Sequence, residues 1–136
     1  SAYLLATGDE SRAQGTYNVV GGHAVAAVAG LIAYVALADG LVALDVFRAG
    51  TPFSPAAGRL VLSGLLAMVL TTVGMLRSDA NHPAACATTL IVALGLMSSL
   101  REVGIIVVSV AILVAFHGSV VERVQDRYGV APEAPR

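Results

Sequence analysis

The sequence predicts an all-α fold, a polytopic transmembrane helix bundle with four spans, on three observations. Of its 136 residues, 57% are hydrophobic and only 12% charged, about half the charge of an average soluble domain. The mean hydropathy is +0.80. The charges are also segregated: every arginine and every acidic residue falls outside four apolar stretches, Val19–Ala38, Leu60–Leu76, Pro83–Leu100 and Val103–Val121. Each stretch runs roughly 17–20 residues, the length that crosses a hydrocarbon core of about 30 Å. A net charge of −1 without a basic patch argues against nucleic acid as a partner. Cys86 is the single cysteine, which excludes an intrachain disulfide framework.

Backbone amides in lipid must be satisfied within their own segment, so each stretch reads as an α-helix. The loop before the first carries Asp9, Glu10 and Arg12. The loop from Asp39 to Gly58 carries Asp39, Asp45 and Arg48, and Pro52 and Pro55 rule out a continuous helix through it. Arg59 marks the start of the second span. The second and third spans are joined only by Arg77 to His82, and the third and fourth by Arg101-Glu102, links that make neighbours antiparallel. Alternation puts Arg12, Arg77, Arg123, Arg127 and Arg136 on one side and Arg48, Arg59 and Arg101 on the other. The positive-inside rule then places the tail, residues 122–136, in the cytoplasm and the protein in the cell membrane as a multi-pass chain. The tail reads as a frayed continuation of the last helix followed by disorder.

The polar groups at membrane depth are few. His23 lies four residues inside the first stretch, His82 stands at the start of the third, and His117 lies four residues from the end of the fourth. Topology brings all three to a similar depth near one face. Ionisable groups there usually face the bundle interior and mark pathways or relays. The competing reading is that each is a shallow interfacial residue or an interhelical hydrogen-bond partner. No pair has the spacing of metal ligands, so no metal is expected and no cofactor is implied.

The third stretch begins Asn81-His82-Pro83. Proline suits a first helical turn, where its missing N–H had no partner in any case, and asparagine suits the cap. The first stretch opens in a related way, with Asn18-Val19-Val20-Gly21-Gly22-His23. A helix start offers N–H donors and a positive dipole end, which favour an anion, and transporter sites are often built from such starts inside the membrane. Gly22, Ala26 and Gly30 form a small-residue stripe suited to close helix contact; for Gly21, packing and ligand approach both stand. Setting His23 on His82 also pairs Ala26 with Ala85 and Leu31-Ile32 with Leu90-Ile91, as in a parallel repeat. The hydroxyls Ser63, Thr71, Thr72, Thr88, Thr89, Ser98, Ser99 and Ser109 are expected mostly to bond carbonyls of their own helices. No nucleophile–base pair or carboxylate dyad stands out, so the chain does not read as an enzyme.

The run Asn81-His82-Pro83-Ala84-Ala85-Cys86-Ala87-Thr88-Thr89-Leu90 resembles the signature of the HPP family of integral membrane proteins, named for His-Pro-Pro followed by small residues. Asn18-Val19-Val20-Gly21-Gly22-His23 resembles that family's Asn-x-x-Gly-Gly-His run, and Ser1-Ala2-Tyr3-Leu4-Leu5 the end of a Gly-x-Ser-Ala stretch before it. Ala84 stands where the signature has its second proline. The resemblance covers Ser1 to about Val121 and implies a further transmembrane helix upstream. Some plastid and cyanobacterial members are regarded as nitrite transporters.

Two functions follow as expectations. The first is a transporter or channel for a small anion such as nitrite, proton-coupled through its histidines, with Asn18, Gly21, Gly22, His23, Asn81, His82, Pro83 and His117 as the substrate-binding set. The second is a non-transporting subunit or scaffold of a larger membrane complex. Four short helices barely enclose a pathway, so a homo-oligomer or a subunit of a complex is expected, with the stripe on the first helix as its packing surface.

Overall fold

The computed structural model describes residues 15–50, 53–80 and 82–128, and these form a helical bundle. Its first helix, α1 (Thr16–Leu37), starts three residues ahead of the first apolar stretch. Half of its membrane-length window is buried, against 33% for the second long helix and 11% for the last, so α1 is the central post. Gly22, Ala26, Gly30 and Ala33 give it a face with almost no side-chain bulk, and all four are buried. That stripe packs inside the chain and is therefore not the oligomer surface the sequence had pointed to.

Beyond α1 the chain turns through Gly40, whose φ of 77° lies in the left-handed region. A six-residue helix, α2 (Ala43–Arg48), follows. The helix α3 (Pro55–Ser78) begins five residues before the second apolar stretch, because the Ser54 hydroxyl accepts the Ala57 N–H and Pro55 occupies the first turn. This places Arg59 inside the helix, where its Nε donates to the Leu37 carbonyl at 2.7 Å and closes the C-terminal end of α1. At its own end α3 stops on Asp79, with φ 54°.

The third stretch differs most from expectation. Instead of a span over 83–100, a 3-10 turn, Pro83–Ala85, leads into an eight-residue helix, Cys86–Ala93. We name the two together α4; they cover roughly half a bilayer core. The helix ends because Gly95 takes a φ of 74° and packs against the Leu41 carbonyl and the Tyr34 ring, where any side chain would collide. The Leu94 carbonyl then accepts the Ala43 N–H at 3.0 Å, tying α2 to the end of α4. The next helix, α5 (Leu100–Tyr128), starts on a capping box: Glu102 Oε2 accepts the Ser99 N–H at 3.0 Å, and Ser99 Oγ accepts the Glu102 N–H at 3.3 Å. The helix continues through the first seven residues of the tail; 129–136 lie outside the described residues.

Among the described residues, three helices are thus long and apolar enough to cross a membrane, α1, α3 and the Leu100–His117 part of α5, and Pro83–Ala93 is a shorter apolar helix beside them. The core is built of small residues. Ala33, Ala67 and Ala93, all fully buried, form a cluster contributed by α1, α3 and α4. Val103 of α5 joins Ala27 and Val92 in another. Large apolar side chains such as Val61, Leu65 and Val69 on α3, and Ile105, Ile112 and Phe116 on α5, point outward, as lipid-facing surface requires.

Candidate functional site

The recessed start of α4 creates the site. After Asp79 the chain turns into the bundle: Ala80 is 1% exposed and His82 1% exposed. His82 faces Gly22, six residues along α1 from Thr16, so α4 starts roughly 9 Å inside the end of α1. Gly22 makes this possible, since a β-carbon there would lie 2.7 Å from that of His82 and 3.2 Å from the Ala80 carbonyl. Gly21 is looser, 3.2 Å from the Ala80 β-carbon.

Pro83 is the first residue of the 3-10 turn, as the sequence predicts, but the N-cap is His82 and not the asparagine expected there. His23, on the next position of α1 after Gly22, is also buried. The two imidazoles meet with ring centroids 5.4 Å apart and planes tilted by 50°. The Nδ1 of His23 is 2.8 Å from the Thr88 hydroxyl. Asn18 is buried in the first turns of α1, and Asn81 lies outside the described residues. His117 is half-buried on α5 and is not part of the ring contact.

The hydroxyls correct the sequence reading. Thr72 and Ser78 do bond carbonyls of their own helix, but four others reach across. Thr88 holds His23, Thr71 meets Thr89 at 2.8 Å, and Ser63 donates to the Ala93 carbonyl at 2.9 Å. Thr88 is the site residue that sequence reasoning missed. A readable signal existed on α3, where Ser63, Ala67, Thr71 and Met75 recur every fourth residue and so share one small, buried face; Thr72 lies off it.

A cavity of about 190 Å³ on the side of the bundle reaches His82, walled by Thr72, Met75, Leu76, His82, Pro83 and Cys86. At about 30 Å³ per water, it has room for a small polyatomic solute. A larger groove of about 410 Å³, between Val25, Ile32 and Leu70, is almost wholly apolar. Among the described residues no group of three histidine, cysteine or acidic side chains is placed to hold a metal.

A half-length helix set inside an apolar bundle, with a buried histidine at its start, is the architecture of a membrane protein with an internal polar site. A family model described as the HPP transmembrane region matches residues 1–129, and the chain belongs to that family. No curated protein and no solved structure matches it.

Proposed function

We propose that the protein is a cell-membrane transporter or channel for a small anion such as nitrite, and not an enzyme. The observation that carries this reading is the His23–His82 pair, buried at a helix start that is itself recessed into the bundle. Imidazole N–H groups and helix-start amides are donors, which suits an anion. The four apolar stretches hold no acidic side chain to coordinate a cation. The cavity beside His82 has room for a small ion, and the nitrite transport attributed to some members of the family agrees in substrate class. Asn18, Gly21, Gly22, Asn81, Pro83 and Thr88 would surround the ion's route, and His117 would approach it from α5. A homo-oligomer would complete the lipid-exposed walls of so small a bundle.

The test is uptake of nitrite by liposomes holding the purified protein. Uptake above protein-free liposomes, abolished by His82→Ala in a bundle that still folds, supports the reading; undiminished flux in that variant removes His82 from the route.

One observation favours the scaffold reading instead: among the described residues no buried side-chain polar atom lacks a hydrogen-bond partner, so the polar cluster serves equally as packing. Copurification from native membranes at fixed stoichiometry with a larger complex would support it.

A further inference from the structure

We propose that His23, His82 and Thr88 form a one-proton site, so that the anion is bound and carried together with a single proton. This rests on the anion reading above and names its coupling ion.

Three features argue for it. An ion entering an apolar bundle needs a counter-charge close by, and the four apolar stretches contain no arginine or lysine. Among the described residues, His23 and His82 are the buried groups able to supply one. With ring centroids 5.4 Å apart, two imidazolium rings would repel at short range in a poorly screening interior. The pair therefore accommodates one proton and resists a second.

The third feature is the partner of His23. Its Nδ1 sits 2.8 Å from a threonine hydroxyl, a group that donates to a bare ring nitrogen and accepts from a protonated one. A carbonyl or carboxylate in that place would hold Nδ1 permanently as a donor. Thr88 instead satisfies His23 in both states, as a ring that gains and loses a proton in each cycle requires. On arrival of the anion the proton passes from water to a ring nitrogen of the pair; on release it returns to water, and no bond other than N–H changes.

Among the described residues, the other titratable groups on the elements around the pair near this face are Tyr17 on α1, Arg77 and Asp79 at the exposed end of α3, Cys86 on α4 and His117 on α5; Tyr34 on α1, Arg59 on α3, and Arg101 and Glu102 on α5 lie toward the opposite end. Tyr17 donates its hydroxyl to the Ser78 carbonyl and Glu102 accepts from Ser99, so both are engaged in capping.

The experiment is calorimetric titration of nitrite into the purified full chain at neutral pH, in buffers of different ionisation enthalpy, which counts protons taken up per ion. The expected count is one, falling well below one in Thr88→Val and restored in Thr88→Ser. Binding with a count of zero or two, or an unchanged count in Thr88→Val, overturns the one-proton site and leaves the anion reading standing. Absence of any nitrite binding by the folded protein overturns both. A pH titration of the ¹⁵N-labelled rings without ligand gives a second readout: one ring charging at the expense of the other supports the site, and independent charging of both refutes it.

Discussion

Gly22 and His82 meet backbone to backbone: a β-carbon on residue 22 would fall 2.7 Å from that of His82, closer than packed carbons approach. The glycine is what allows α4 to begin inside the bundle rather than at its edge. Gly22→Ala should therefore push His82 outward and destabilise the fold by about 1–3 kcal/mol, the usual cost of overpacking. Gly104 on α5 has open space around it, and Gly104→Ala should leave stability the same or slightly higher. Unfolding of the two variants in mixed micelles checks the contrast.

The Thr71–Thr89 bond, at 2.8 Å, is a buried polar link between α3 and α4. A double-mutant cycle with Thr71→Val and Thr89→Val should give a coupling of about 0.6 kcal/mol, with roughly 1.7 kcal/mol as the upper end for such bonds in membranes. A coupling indistinguishable from zero would mean that helix packing alone seats α4.

Much of the fold was legible because long apolar runs have one solution in lipid. The lengths of the first, second and fourth stretches foretold α1, α3 and α5. The meeting of His23 and His82 was legible too, since both stretches enter from the same side, and the offset that aligns them also relates real neighbours: Ala26 and Ala85 share a cluster, and Gly30 lies against the Thr89 carbonyl. The length of α4 was not legible from hydropathy. Leu94 to Met97 is mostly apolar, and hydropathy does not register that Gly95 is left-handed. The Ser99-x-x-Glu102 capping box was the available sign that a new helix starts there. The role of Thr88 was hidden for another reason: a threonine in a helix bonds its own turn or a neighbour's, and only packing decides which.

The capping box makes its own prediction. Ser99→Ala removes the acceptor for the Glu102 N–H and the hydroxyl that donates to Glu102 at 2.8 Å. It should cost about 0.5–2 kcal/mol and raise hydrogen exchange selectively in the first turn of α5. Uniform exchange across the bundle would argue against a local cap.

Cys86 shares the cavity wall with His82 and is the single cysteine in the chain. Modification by a small maleimide should fill that cavity and reduce nitrite uptake to background, while Cys86→Ala keeps uptake and loses the sensitivity. Full labelling with unchanged uptake would show that the ion reaches the histidines by another route.

The central claim is that the recessed start of α4 binds an anion between two buried histidines. The most direct measurement is an experimental structure with bromide, a small monovalent anion that scatters anomalously. The account predicts anomalous density within hydrogen-bonding reach of the His23 and His82 rings. A dry contact between the two rings, with bromide only at the protein surface, would contradict it.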